Sequence, residues 1–75
     1  MVRTPQQAID DEILDQDTVM AAAQEQMFGT EDAGFCTECG HQQDGCEPDA
    51  CNYECEACGK PAVFGASEIV LQITA

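Results

Sequence analysis

The first third of the chain carries apolar side chains at the spacing expected of a helix. Six positions follow one another at alternating steps of four and three residues, and five of them are apolar. They are Ile9, Ile13, Gln16, Met20, Ala23 and Met27, of which Gln16 is polar. This repeat is typical of a heptad seam along one side of an amphipathic helix. The acidic residues of the same stretch lie off the seam. The pattern therefore predicts an N-terminal helix with one apolar edge.

Both ends of this helix have sequence signals. Thr4 and Gln7 form a capping box of the type T-x-x-Q, which marks a helix start. Gly29 suits the C-terminal stop, because glycine adopts the left-handed conformation that often ends a helix. These signals predict one helix from about residue 5 to residue 28, or the same helix broken near Asp17.

The C-terminal tail has apolar residues at every second position, which is typical of a strand. Ile69, Leu71 and Ile73 occupy every second position, and β-branched residues are frequent there, which favours a strand over 67–74. Ser67 and Glu68 could instead begin one helical turn. Shorter strands are predicted at 52–55 and 61–64, and a glycine-flanked linker at 29–34.

Two C-x-x-C-G motifs dominate the second half of the chain. Fifteen residues separate the two cysteine pairs, which are Cys36 with Cys39 and Cys55 with Cys58. Two residues between cysteines let the chain turn so that both sulfurs face one point, and two such turns supply the tetrahedron of a structural zinc site. The spacing therefore predicts one structural Zn²⁺ with these four cysteines as ligands. Disulfides or free thiols are the competing interpretations.

Two further cysteines stand apart from the motifs. Cys46 and Cys51 are unevenly spaced, and His41 lies two residues after Cys39. These three side chains could form part of a second metal site, or the two cysteines could form a reversible disulfide. The simplest interpretation is that both are free thiols on a loop and that His41 is exposed.

Charge narrows the range of partners. Fifteen Asp and Glu residues oppose two Lys and Arg in 75 residues, for a net charge of −13. Zinc bound by four thiolates makes the chain more negative, since four protons leave and two positive charges arrive. Attraction to phosphate supplies most non-specific nucleic-acid binding, so direct binding to DNA or RNA is not expected. A basic protein partner, or solubility alone, accounts better for the acidity.

The seam raises the question of what covers it. A straight helix of this length is about 36 Å long at 1.5 Å per residue, which exceeds a forty-residue ribbon. The seam could pack on the ribbon, on a second copy as a homodimer, or in a partner's groove. The interface candidates are Ile9, Ile13, Met20, Met27, Asp10, Asp11, Asp15 and Asp17.

The predicted architecture is small α+β. Residues 1–34 form an acidic amphipathic helix with its linker, and residues 35–75 form a four-cysteine zinc ribbon of short antiparallel strands ending in a C-terminal strand. A signal peptide or membrane span is not expected, because apolar runs such as Ile69 to Leu71 are far too short. A cytoplasmic location is therefore expected, where cysteines stay reduced and favour metal over disulfides.

The stretch from Phe35 to Leu71 resembles small, largely uncharacterised zinc-ribbon proteins of bacteriophages and prophages. The residues that carry the resemblance are Cys36-Thr-Glu-Cys39-Gly, Asp44-Gly-Cys-Glu-Pro-Asp49, Asn52-Tyr53, Cys55-Glu-Ala-Cys58-Gly and Ala62-Val-Phe-Gly-Ala66. The resemblance covers about half the chain and omits the N-terminal helix. It implies a zinc ribbon and a phage setting in the host cytoplasm, and it implies that Cys51 is not a ligand. It implies no activity.

Three classes of function fit these features. The first is an acidic adaptor or inhibitor that binds a basic, nucleic-acid-binding protein of host or phage. The second is a transcription-related zinc ribbon that binds RNA polymerase, since small regulators of that enzyme also put an acidic helix before a four-cysteine finger. The third is a redox protein with a rubredoxin-like iron site. An enzyme is not expected, because four cysteine ligands leave zinc without an open position.

Overall fold

The computed structural model describes residues 2–29, 32–47 and 49–74, which form three helices and a four-stranded antiparallel sheet. The elements in chain order are α1 (Pro5–Asp10), α2 (Gln16–Met27), β1 (Gly34–Cys36), β2 (Gln42–Gln43), β3 (Tyr53–Glu54), β4 (Pro61–Gly65) and α3 (Ala66–Thr74). In the sheet the strands lie in the order β2-β1-β4-β3. The prediction of a small α+β protein is confirmed. Residues 30 and 31 of the predicted linker lie outside the described residues.

The prediction of one long N-terminal helix is wrong, because the chain forms two short helices. The capping box at Thr4 starts α1 as predicted, but α1 ends at Asp10. Glu12 then takes a φ of 60°, which a right-handed helix does not allow. Asp15 starts α2 as its N-cap, since its carboxylate accepts hydrogen bonds from the Thr18 backbone N–H at 3.0 Å and hydroxyl at 2.8 Å. The break therefore falls at residues 11–15, not at 17–18.

Burial explains why the chain bends between α1 and α2. Leu14, in the connection, is only 5% exposed and packs in the core that the helices share. A single straight helix would be about 36 Å long, whereas the longest dimension of the molecule is 31 Å. Two helices joined by a bend can both lie against the rest of the chain.

The C-terminal strand predicted for 67–74 is also wrong, because Ala66–Thr74 is helix α3. Ala66 and Ile69 are fully buried, and Val70 and Ile73 pack partly against the same core. These four positions recur at steps of three, one and three, which puts them on one side of a helix. Helix α3 packs against both α1 and α2, so the two ends of the chain share one core.

That core lies between the helices and one face of the sheet. Its aromatic residues are Phe35 of β1 and Phe64 of β4, which are direct neighbours in the sheet. The helices contribute four alanines and two larger residues, and the connection contributes one leucine; these are Ala8, Ala22, Ala23, Ala66, Val19, Ile69 and Leu14. Small residues allow α1 and α2 to pack closely against α3. A second cluster on the cysteine side contains Cys36, Cys46, Ala50, Cys55, Ala62 and Val63.

Gln26 is a polar side chain inside the helical core, and it forms hydrogen bonds with four other groups. Its amide nitrogen donates to the carbonyl oxygens of Ala33 at 3.2 Å and Cys46 at 3.3 Å. Its amide oxygen accepts from the backbone N–H of Ser67 at 3.0 Å and from the Ser67 hydroxyl at 2.9 Å. Gln26 of α2 thus caps the start of α3 and fixes both the entry to β1 and the Cys46 loop.

A second glutamine links the two edge strands of the sheet. The Gln43 amide nitrogen donates to the Glu54 carbonyl oxygen at 3.3 Å, and its amide oxygen accepts from the Glu56 N–H at 3.0 Å. Gln43 lies on edge strand β2 and Glu54 on edge strand β3. One side chain therefore makes the two backbone hydrogen bonds that a further strand would have made.

Candidate metal centre

The two C-x-x-C-G motifs form matching turns. We refer to 36–40 as the first cysteine turn and to 55–59 as the second. In each, the glycine N–H donates to the carbonyl oxygen of the first cysteine at 2.9 Å. The N–H of that cysteine donates across the turn, from Cys36 to the His41 carbonyl and from Cys55 to the Lys60 carbonyl, again at 2.9 Å. The same local sequence therefore produces the same hydrogen bonding twice.

The four cysteine sulfurs converge at one point. The Sγ atoms of Cys36, Cys39, Cys55 and Cys58 all lie within 4.8 Å of one another. Across the turns, Cys36 Sγ lies 3.7 Å from Cys58 Sγ, and Cys39 Sγ lies 3.6 Å from Cys55 Sγ. A tetrahedral ion with metal–sulfur bonds of about 2.3 Å separates its sulfurs by about 3.8 Å. The four thiols therefore fit one tetrahedral metal ion, and the predicted ligands are brought together.

Backbone N–H groups point at the sulfur of the first cysteine in each turn. Cys36 Sγ accepts from the N–H of Glu38 and of Cys39, both at 3.4 Å. Cys55 Sγ accepts from the N–H of Ala57 at 3.3 Å and of Cys58 at 3.4 Å. Hydrogen bonds of this kind stabilise a thiolate, which is the form that binds metal. Cys36 and Cys55 are buried, whereas Cys39 and Cys58 are exposed.

These contacts divide the thiols by their readiness to ionise. The N–H of Cys58, and less strongly that of Ala57, stabilise the Cys55 thiolate and lower the pKa of Cys55 to about 6. Loss of hydration acts in the other direction and raises the pKa of Cys36, and that of Cys39 to about 12. Cys55 is therefore the most readily ionised of these three thiols, and Cys36 and Cys39 would have to lose their protons for a metal to bind.

An ion-pair cluster covers the first cysteine turn. Glu38, between the two cysteines of that turn, accepts from the Arg3 guanidinium at 3.1 Å and the Arg3 backbone N–H at 2.8 Å. Lys60 Nζ lies 3.5 Å from the other Glu38 oxygen, and Arg3 also pairs with Asp11 at 2.9 Å. Thr37 completes the contact by donating its hydroxyl to the Arg3 carbonyl at 2.7 Å. The N-terminal segment is thereby tied to one cysteine turn and the second turn to the first.

The sequence pattern did not indicate these supporting residues. Glu38, Arg3 and Lys60 are distant in sequence, so their contacts depend on tertiary structure. One signal was present in the composition: Arg3 and Lys60 are the chain's entire complement of Lys and Arg. In so acidic a chain, each cation is expected to have carboxylate partners, and these two share Glu38.

Cys46, Cys51 and His41 lie outside the metal cluster. Cys51 and His41 are exposed, in agreement with the simplest interpretation of the sequence. Cys46 is a free thiol on a loop as predicted, but it is buried: it is 2% exposed and packs against Gly34, where any side chain would overlap it. Cys46 and Cys51 are both free thiols. Loss of hydration is the main cause that raises the pKa of each thiol, partial for the exposed Cys51, so neither resembles an activated thiol.

The predicted seam is divided between buried and exposed positions. Ala23 is buried, Ile9 and Ile13 are half-buried against the helical core, and Gln16 is exposed. Met20 and Met27 are 39% and 80% exposed. The four candidate acids are all exposed; Asp11 pairs with Arg3, and Asp15 is the N-cap of α2. Only the α2 portion of the seam therefore leaves large apolar side chains in contact with solvent.

The comparisons with known proteins name no relative. No protein-family model matches the chain, and neither a curated protein nor a solved structure matches it. Among the described residues, no helix has the length and apolar character needed to cross a membrane. The chemistry of the four thiols is therefore the principal guide to function.

Proposed function

We propose that the chain is a small acidic zinc-ribbon protein that holds one structural Zn²⁺ and works by binding a basic protein. The convergence of four sulfurs at tetrahedral distances supports the metal site. Zinc is the metal best suited to a closed set of four thiolates. The two matching turns and the short antiparallel strands that flank them are what a zinc ribbon requires.

The role assigned to the ion is structural. Four protein ligands fill a tetrahedral zinc, which leaves no position for water or substrate. The metal would cross-link the first cysteine turn, which follows β1, to the second turn, which lies between β3 and β4. In a chain of 75 residues with a core of mostly small side chains, that cross-link is a large part of the folding free energy.

The acidity supports a basic partner. Arg3 and Lys60 are both engaged by carboxylates of the chain, so neither is left to attract a phosphate backbone. The remaining carboxylates give a surface of one sign, which attracts a basic protein and speeds its association. The partner in this proposal is one that itself binds nucleic acid, with this chain acting as its adaptor or inhibitor. The phage setting, the cytoplasmic location and the polymerase-binding ribbon remain predictions.

The first experiment tests the metal. Purified protein should contain one equivalent of zinc by mass spectrometry, and Cys55→Ser should lose it together with the sheet seen by circular dichroism. Cys51→Ser is the matched control, because Cys51 is exposed and outside the cluster. A full equivalent of tightly held zinc in Cys55→Ser would show that the ligand set is wrong, and loss of zinc in Cys51→Ser would show the same.

The second experiment tests the partner class. The zinc-loaded protein should show no measurable affinity for duplex DNA or for RNA at physiological salt. Binding to a basic nucleic-acid-binding protein, captured from lysate and then purified, should weaken as salt shortens the Debye length from about 10 Å at 0.1 M to about 3 Å at 1 M. Replacing Asp10, Asp11, Asp15 and Asp17 together by Asn should slow association. A complex unaffected by both salt and these substitutions would contradict the proposal.

A rubredoxin-like iron site is the second candidate, because one observation favours it. Two N–H groups donate to each of Cys36 Sγ and Cys55 Sγ, and hydrogen bonds to cluster sulfurs tune the potential of iron–thiolate centres. Protein grown with both metals supplied distinguishes the two candidates. Iron(III) bound by four thiolates is red, whereas the zinc form is colourless. A red, iron-containing product that is reversibly reduced would favour the redox function.

A further inference from the structure

Helix α2 points its largest apolar side chains away from the core. Met27 is 80% exposed, Phe28 at the C-cap is 82% exposed, and Met20 is 39% exposed. On the inner side of the same helix, the polar Gln26 is only 6% exposed among small residues. A helix that simply covers a core has the opposite distribution. The outward apolar residues of α2 are therefore not explained by the packing of this chain.

These side chains share one surface, which we term the outer face of α2. Successive members lie one or three positions apart along the helix, and the set is Asp17, Met20, Ala21, Gln24, Met27 and Phe28. All six are exposed. In this acidic chain, the outer face has a single carboxylate, at its N-terminal end. Several exposed apolar side chains on one helix face mark interaction sites more often than scattered single ones do.

The net charge of the chain favours some occupants of this face over others. A second copy would bring another net charge of −13 against the first, which opposes self-association. A partner with Lys and Arg beside its apolar residues would instead be attracted, because Asp17 lies on the face and Glu25 lies beside it on α2. The occupant that satisfies both the apolar and the charged surroundings is basic and amphipathic.

The length of the outer face favours a helix as the partner segment that binds it. From Met20 to Phe28 the outer face is about 12 Å long, at 1.5 Å per residue, which matches two turns of a second helix packed alongside. Methionine side chains adapt to varied apolar neighbours and are frequent on surfaces that accept amphipathic helices. An extended peptide would instead need an open strand edge, and Gln43 joins the two edge strands of the sheet.

We propose that the outer face of α2 is the docking surface for a basic amphipathic helix of a partner protein. This inference rests on the proposed function, which supplies a basic partner, and it adds the surface and the form of the recognised segment. Met20, Met27 and Phe28 contact the apolar side of the partner helix. Asp17 and the neighbouring acids attract its Lys and Arg residues.

The test uses a synthetic helical peptide of Leu and Lys as the probe, fluorescently labelled and titrated with zinc-loaded protein. Met27→Ser combined with Phe28→Ser should weaken binding at least about tenfold, since two large apolar contacts are lost. Leu71→Ser is the matched control, because Leu71 is 65% exposed but lies on α3, and it should change the affinity less than about twofold. Met20→Ser is a second variant with the same expected direction. Zinc content and circular dichroism verify that each variant is folded.

A peptide of the same composition, scrambled so that its helix is no longer amphipathic, separates apolar docking from charge alone. Equal affinity for both peptides, or unchanged affinity in the double variant, would overturn the assignment to α2 while leaving a salt-sensitive, charge-driven function intact. A wild-type protein that binds neither peptide would overturn both this inference and the proposed charge attraction. Sedimentation showing a dimer that the double variant abolishes would identify the occupant as a second copy and overturn the proposal.

Discussion

At the scale of single residues, the two cysteine turns are alike in backbone and different in surroundings. Gly40 and Gly59 end their turns with φ angles of 79° and 76°, which other residues adopt only with strain. A side chain at Gly40 would lie 2.8 Å from the Ile13 carbonyl oxygen, whereas one at Gly59 would meet no atom within 4 Å. The first turn is therefore packed beneath the connection between α1 and α2, and the second is open to solvent.

This difference predicts unequal costs for the same substitution. Gly59→Ala should lower the free energy of unfolding by about 1 kcal/mol, which is the usual cost of a left-handed alanine. Gly40→Ala should cost clearly more, since the added methyl group also displaces the connection at Ile13. Urea unfolding of the zinc-loaded variants measures both. Equal costs would contradict the contact between the first turn and the connection.

Asp15 supplies a pH-dependent contribution to α2. Hydrogen bonds from the Thr18 hydroxyl and, second, its backbone N–H hold the pKa of Asp15 below its ordinary value. The stabilisation is therefore present above the unfolded pKa, near 4, and is lost as pH falls through the lower folded value. At pH 7, Asp15→Ala should reduce the melting temperature by about 5 °C.

The matched control at this position is Asp15→Asn, which still caps the helix but does not titrate. The difference in melting temperature between wild type and Asp15→Ala should shrink below pH 4, while that between Asp15→Asn and Asp15→Ala should not. Melting curves of all three proteins, taken from pH 7 down to the lowest pH at which each retains its zinc, test this expectation. A constant difference between wild type and Asp15→Ala would mean that the charge of Asp15 has no role.

At the scale of elements, a polar contact joins two helices that the sequence does not show as neighbours. Gln26 of α2 caps the N-terminus of α3 through Ser67 and also binds two loop carbonyls. Gln26→Met keeps the size of the side chain but leaves these buried groups without partners. We expect the free energy of unfolding to fall by about 3 kcal/mol.

Gln24→Met is the control for this substitution, since Gln24 is exposed on the same helix. It should change the free energy of unfolding by less than about 0.5 kcal/mol. Denaturant titration measures both variants. If the two variants were equally stable, the hydrogen bonds of Gln26 would contribute nothing net.

The elements also show what the sequence could and could not predict. The cysteine cluster was predictable because each C-x-x-C-G turn is local, so tertiary structure needs only to bring two equal turns together. The break at residues 11–15 was hidden because the steps of four and three run through it without interruption. The tail contains two patterns: Ile69, Leu71 and Ile73 alternate, but Ile69, Val70 and Ile73 also have helical spacing. Packing against α2 decides for the helix, and a single sequence does not contain that contact.

At the scale of the whole molecule, charge opposes folding, whereas a metal ion held by the four cysteines would favour it. A net charge of −13 within principal dimensions of 31 × 23 × 17 Å concentrates like charges that the unfolded chain would separate. Sodium chloride screens this repulsion. We therefore expect the melting temperature of the zinc-loaded protein to rise between about 0.01 and 0.5 M salt, as the Debye length falls from about 30 Å to below 8 Å.

A variant with Asp10→Asn and Asp17→Asn should respond less to salt than the wild type, because it has fewer charges to screen. Both residues are exposed, so the substitutions leave the core unchanged. Differential scanning calorimetry at several salt concentrations gives the comparison. A melting temperature that falls with salt would indicate that the ion pairs around Glu38 outweigh the general repulsion.

The link that Gln43 makes between the edge strands has a consequence for how the protein behaves when concentrated. Exposed strand edges are the template on which proteins polymerise into fibrils, and natural sheets protect them with charges, bulges or very short strands. Here β2 and β3 are two residues each, and the Gln43 amide binds the backbone of residues 54 and 56. Loss of that amide would uncover backbone groups at one edge of the sheet. By occupying these groups, Gln43 is expected to leave fewer free donors and acceptors on that edge for the strand of another chain.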